Sequence, residues 1–192
     1  MKLMKLICIT VVMVLSILSC NNSKKNTERI DEFKKAKKLL IPIKNKENFT
    51  DNFQVEIIAK VKSSDNFQLF YTENYMLQYS DQNKITTYVE GKDTFQSIIF
   101  NLPKHVYPER YRFDVGSNRQ LKEIEIKSLT IRIDQEQIVI PQEFLSDYIV
   151  PNNYINQEGK VYKLRTIEKN GEIYYDPFFT CSPKFIRLLE LL

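Results

Sequence analysis

Tryptophan is absent from this 192-residue chain, histidine occurs once, and there are only four glycines and three cysteines. Each shortage removes a class of function. The one imidazole, His105, lies between two prolines in LPKHVYPER, so it cannot build a histidine-rich zinc site or a metalloprotease helix and reads as a loop residue. Glycines at 91, 116, 159 and 171 supply no phosphate cradle, no collagen period and no low-complexity linker. No serine occupies a G-x-S-x-G elbow, and no internal repeat recurs at a fixed period. The formal charge of +4 falls to +2 once Lys2 and Lys5 are set aside with the N-terminal leader, far from the concentrated positive field that a nucleic acid requires. With no metal set, cofactor cradle or activated nucleophile standing out, the expectation is a noncatalytic protein without a cofactor.

What is present begins at the N-terminus. Lys2 and Lys5 precede an apolar run over residues 7–18, which closes on Ile17-Leu18-Ser19-Cys20 and gives way at once to NNSKKNTERIDEFKKAKK. The order is that of a secretory leader, and the run falls short of the roughly 20 apolar residues that span a bilayer. A cut after Ser19 places the bulky Ile17 third before it and leaves Cys20 first in the mature chain. These four residues resemble the lipobox of bacterial lipoproteins. The resemblance implies that residues 1–19 are a lipoprotein signal peptide, that the Cys20 thiol receives a diacylglycerol, and that the new amino group is acylated. Membrane lipid is then the first partner, and the location is the bacterial cell envelope, at the outer membrane in a Gram-negative cell. Each buried methylene of such chains contributes about 0.8 kcal/mol, and stable anchoring takes more than one chain.

Cysteine usage agrees. Cys8 falls in the leader and Cys20 is consumed by lipid, so Cys181 is left alone and no disulfide framework can form. Cys181 reads as a small buried hydrophobe.

Residues 20–47 read as a polar tether, with a short helix over 27–40 that puts Ile30, Phe33, Ala36 and Leu40 near one face. Residues 48–192 read as a single domain of period-two segments. In FQVEIIAKV, Phe53, Val55, Ile57, Ala59 and Val61 share a side, as in a strand between core and water. FQLFY, ITTYVE, FQSIIF and YRFDV follow at short intervals, punctuated by Asn, Asp, Ser and Gly clusters. That rhythm predicts a mainly β fold, an antiparallel sandwich with short helices in the N-terminal spacer and at the C-terminus. In KEIEIKSLTIRI the apolar residues change parity, from Ile124 and Ile126 to Leu129, Ile131 and Ile133. The change predicts a bulge, or a strand that switches sheets, near Lys127-Ser128. VYKLRTIE and EIYYD read as a late hairpin around Lys169-Asn170-Gly171, and Ser182-Pro183 as the cap and first residue of a leucine-rich helix.

Two residue sets suit ligand binding. The 114–120 loop, with Arg110, Arg112, Asp114 and Asn118, offers donors and acceptors at a strand end, although its Asp-x-Gly corner is first of all a turn. Phe67, Tyr71, Tyr75, Tyr79 and Tyr88 are candidate platforms for a sugar or peptide. The segment NLPKHVYPERYRFDVGSNRQLKEIEIKSLTIRI is similar to jelly-roll, galactose-binding-like domains that accompany bacterial glycan-processing and envelope proteins. On that resemblance Arg112, Asp114 and Gly116 are scaffold residues; the loop and the aromatic residues by their own chemistry give the candidate ligand-binding set Tyr71, Tyr75, Arg110, Arg112, Asp114 and Asn118. The expected function is a noncatalytic module binding an envelope glycan or similar polar ligand. The alternative is an assembly lipoprotein that meets an envelope protein partner through residues 174–179 and the last helix.

Overall fold

The computed structural model describes residues 39–42, 53–74, 76–133 and 136–190. The expected signal peptide, Cys20, most of the expected tether and its helix, and Tyr75 lie outside the described residues. The chain divides into two units, residues 1–39 and 40–192, and the described strands all belong to the second.

The strands are β1 (Leu40–Pro42), β2 (Gln54–Val61), β3 (Asp65–Thr72), β4 (Lys84–Val89), β5 (Lys92–Asn101), β6 (Arg110–Asp114), β7 (Glu123–Ile133) and β8 (Glu136–Pro141). After a 3-10 turn (Gln142–Phe144) and helix α1 (Leu145–Tyr148) come β9 (Ile149–Pro151), β10 (Ile155–Glu158), β11 (Val161–Leu164), β12 (Ile167–Lys169), β13 (Glu172–Tyr174), β14 (Phe178–Cys181) and helix α2 (Pro183–Leu189). All pairings are antiparallel. One sheet runs β5-β2-β7, and the far edge of β7 is shared by β8 and β11, which carry β1 and β10 in turn. The other runs β4-β3-β6-β14-β9.

Alternation explains why the sheets pack. Val55, Ile57, Ala59 and Val61 on β2 face Phe67, Leu69 and Tyr71 on β3 and Phe113 on β6, and all are buried. Aromatic rings lock the layers, with Phe100 edge-on to Phe113 at 5.8 Å and Tyr162 edge-on to Phe179 at 4.9 Å between centroids. Burying each such side chain contributes about 1.5–3 kcal/mol.

The path of the chain is that of a jelly roll. The two four-stranded tracks β11-β7-β2-β5 and β14-β6-β3-β4 face each other, and the links β2–β3, β4–β5, β6–β7 and β11 to β14 all cross between them at one end. Bonds between these links hold that end together. Gly91 N donates to Ser64 Oγ at 2.8 Å, Asn118 N to Asp65 Oδ2 at 2.6 Å, and Tyr175 Oη to Leu121 O at 3.0 Å. The crossing order matches a jelly roll in which the outer pair, β11 and β14, comes last in the sequence rather than first.

The parity change in β7 is a bulge. Ile58 pairs with Ser128 but Ala59 pairs with Ile126, so Lys127 is the extra residue and both apolar sets reach the core. The β12–β13 hairpin turns at Asn170-Gly171, both with positive φ, as expected for this dipeptide. VYKL, however, is not part of it. Those residues form β11, paired to β10 and β7. A second difference concerns residues 40–42, which pair with β8 rather than ending a spacer helix. The last helix starts as expected: Ser182 Oγ accepts Phe185 N–H at 3.2 Å with Pro183 following, and Phe185 and Leu188 are buried.

Candidate ligand-binding surfaces

The 114–120 loop is a corner whose polar atoms are spent on its own shape. Asp65 is the hub, accepting Asn66 N–H at 2.7 Å and Asn118 N–H at 2.6 Å. Asn118 Oδ1 takes Gln120 N–H at 3.0 Å, while its amide donates to Ser64 O at 3.1 Å. Gly116 has φ +86° and runs so close to Asp65 that a Cβ there would lie 2.0 Å from the carboxylate.

Arg112 and Asp114 project from the outer face of the second sheet. The guanidinium stacks 3.8 Å from the Phe178 ring centroid, bonds Asp114 through Nε and Nη2 at 2.7 Å each, and reaches Asp176 at 3.1 Å. Burial pushes the Asp114 carboxyl above its ordinary pKa, and the Arg112 bonds offset part of that rise. Arg110 is turned elsewhere. Its Nη2 donates to Leu77 O at 2.6 Å and its guanidinium lies 5.3 Å from the Tyr79 ring. Tyr79 itself is half-buried, donates to Tyr111 O at 2.8 Å, and has a phenol pushed up to about 12 by burial.

Among the described residues, the expected tyrosine platform does not assemble. Period two places Phe67, Leu69 and Tyr71 on the inward side of β3, where Tyr71 is only 6% exposed. Tyr88 points outward from β4 and is open to solvent. Tyr71 is therefore a core residue and not a surface contact for a ligand. Of the five singled-out residues that are described, Arg112 and Asp114 alone bond one another. Cys181 is half-buried as a residue, while burial around its thiol raises it to about 12 and its sulfur accepts Tyr111 N–H at 3.2 Å.

A different site arises where β8 and β11 share the edge of β7. β8 pairs with residues 128–133 and β11 with 123–125, so the two strands part and leave a groove of about 250 Å³. One bank is Gln142, Glu143 and Ser146; the other is Gln157, Gly159 and Lys160, with the buried Tyr162 between. Gln142 Nε2 spans the banks to Lys160 O at 3.3 Å. Among the described residues, no hydrogen bond or ion pair engages the side chains of Glu143, Ser146 or Lys160. In the smaller recess beside it Lys60 meets Glu125 at 3.1 Å, and Glu123 is gripped by both Lys62 and Lys163. The space between the sheets is about 30 Å³ and lined mainly by apolar side chains. Sequence reasoning missed the groove because its banks are unremarkable polar residues on separate turns, and only the split edge of β7 sets them face to face.

No family model, curated protein or solved structure matches this chain. The class that fold and groove define is an antiparallel β-sandwich with an open, polar, unpaired groove at its side.

Proposed function

We propose that the chain is a noncatalytic binding module, held at a bacterial envelope membrane through acylated Cys20, that takes an envelope glycan or similar polar ligand in the groove between Gln142 and Lys160. One observation carries the reading: a groove of about 250 Å³ with free carboxylate, hydroxyl and ammonium side chains beside two amides. Sugar hydroxyls both donate and accept, so Glu143 would take their protons while Lys160 and the glutamine amides supply donors. The one negative and one positive side chain cancel, which favours an uncharged polyol over a polyanion. The volume lies below the range of about 300–1,000 Å³ common for drug-sized ligands, so it fits one sugar unit rather than a chain.

Glycan-array screening of the full chain carrying Cys20→Ser, followed by calorimetry on the best hit, tests the groove. Glu143→Gln and Lys160→Met should each weaken binding about 10-fold or more, the loss of one hydrogen bond to a charged group. Binding that both variants leave intact would place the ligand elsewhere, and an empty array would remove the glycan reading. The anchor is tested separately, because Cys20→Ser should abolish incorporation of labelled fatty acid.

The second reading is an assembly lipoprotein, and the observation favouring it is the β12–β13 hairpin, which stands apart from both sheets and exposes Ile173 and Tyr174. The last helix supplies less surface than its sequence suggests, since Phe185 and Leu188 are already packed on the body. An envelope partner lost on Ile173→Ser with Tyr174→Ser would support this reading over the first.

A further inference from the structure

We infer that the end of the sandwich carrying Met76, Leu77 and Tyr107 docks into the interfacial layer of a lipid bilayer. The inference rests on the membrane-anchored part of the proposed function and is independent of the groove. Met76 is 73% exposed, Leu77 56% and Tyr107 52%. The first two lie on the loop between β3 and β4, the third on the loop between β5 and β6, at the end opposite the β2–β3, β4–β5, β6–β7 and β11-to-β14 links.

These side chains are held out rather than left loose. Met76 N–H bonds Asn74 Oδ1 at 2.8 Å and Leu77 N–H bonds Asn74 O at 3.0 Å, a tight turn that thrusts both side chains away from the body. Arg110 clamps Leu77 O from below, and Glu109 N–H bonds Thr72 O at 2.9 Å, tying the second loop to the first. Two aliphatic side chains and one tyrosine with an exposed Lys104 nearby combine an apolar tip with a polar collar, which is the composition an interfacial contact takes.

The position of Cys20 identifies the bilayer as the occupant. The 19 residues from Cys20 to Lys38 can span at most about 65 Å when fully extended, so an anchored chain keeps a lipid surface within reach of the tip. Tethering turns that contact into an intramolecular event, and a weak apolar patch suffices. Glu73, Asp81 and Glu109 offset Lys104 on the two loops together with Lys84 and Arg110 at the first positions of the strands that follow them. Docking is therefore driven by apolar area and is insensitive to salt and to anionic lipid.

The absence of tryptophan provides the assay. In the full chain carrying Cys20→Ser, Leu77→Trp introduces the only indole, and Ile173→Trp in a second chain reports on the opposite end. With phosphatidylcholine vesicles containing one-fifth phosphatidylglycerol, emission from the indole at position 77 should move to the blue and be quenched by brominated lipid, unchanged by high salt, while the indole at position 173 emits as in buffer. Adding Met76→Ser and Tyr107→Ser to the Leu77→Trp chain should lower partitioning about 10-fold or more. No shift at position 77, either in this chain or in the lipidated protein reconstituted into vesicles, overturns the inference. Equal shifts at both ends overturn it, as does a blue shift that grows with protein concentration without lipid, which would assign the patch to a second copy. Because the vesicle assay uses an unlipidated chain, it can succeed even where fatty-acid labelling shows Cys20 to be unmodified.

Discussion

Arg112 and Asp114 stand two residues apart on β6, so both project from the same face, and the guanidinium reaches along the strand to bond the carboxylate twice at 2.7 Å. Asp114 keeps only 12% of its side chain in contact with solvent, whereas Arg112 keeps 24%. The pair is closer to a buried one than to a surface one.

Replacing Arg112 by methionine therefore strands a carboxylate. The expected cost is about 2–4 kcal/mol, toward the range for breaking a buried pair. Arg112→Met combined with Asp114→Leu should recover most of it, since removing both partners leaves nothing unpaired. Urea denaturation of the two variants checks this. A single-variant loss under about 0.5 kcal/mol would class the contact with exposed salt bridges.

Gly116 and Gly171 make a matched comparison. Both have positive φ, +86° and +79°, but an added Cβ meets Asp65 at 2.0 Å in the first case and nothing within 4 Å in the second. Gly171→Ala should cost only the left-handed backbone penalty, about 1–2 kcal/mol. Gly116→Ala should cost clearly more, because Asp65 must abandon the bonds to Asn66 and Asn118 that shape the corner. Equal losses in a side-by-side denaturation would mean that Asp65 moves aside freely.

Glu123 ties acid stability to the outer face of the first sheet. Hydrogen bonds from Lys163 and then Lys62 lower its carboxyl from 4.5 to about 2. A folded pKa below the unfolded one gives stability that is complete above the unfolded value and is lost as pH falls through the folded one. Glu123→Gln should therefore flatten the fall in stability between pH 4.5 and about 2 while changing little of the pH dependence at neutrality. Urea midpoints measured across that interval test it, and high salt should shrink the difference because the group is solvent-facing. Parallel acid slopes for the two proteins would contradict it.

Much of the sandwich is legible because period two is written into single segments. FQVEIIAKV forms β2 with the expected inward residues, and the parity conflict at Lys127-Ser128 marks the bulge within a residue. The hairpin at Asn170-Gly171 and the Ser182 cap are readable for the same reason, since their signals are local. What escapes the sequence is non-local. Period two says that Phe67 and Tyr71 share a face but not which face meets the core, so a core stripe reads as a binding platform. Leu40–Pro42 is a strand because β8 is beside it, not because three residues prefer extension. The groove is the extreme case, a property of how one strand's edge is divided between two neighbours.

Placing β11 and β14 last in the sequence has a kinetic consequence. β14 lies between β6 and β9 in the interior of its sheet, so a chain emerging amino-terminus first holds β6 with one edge bare until Phe178–Cys181 has appeared, more than sixty residues after β6. The partners it awaits are distant in sequence, which makes closure slow. During that interval the open strand is a template for the wrong chain. Folding of this body is thus a late, nearly all-at-once event, and a copy cut short before Phe178 is left with an unfilled slot at the centre of a sheet.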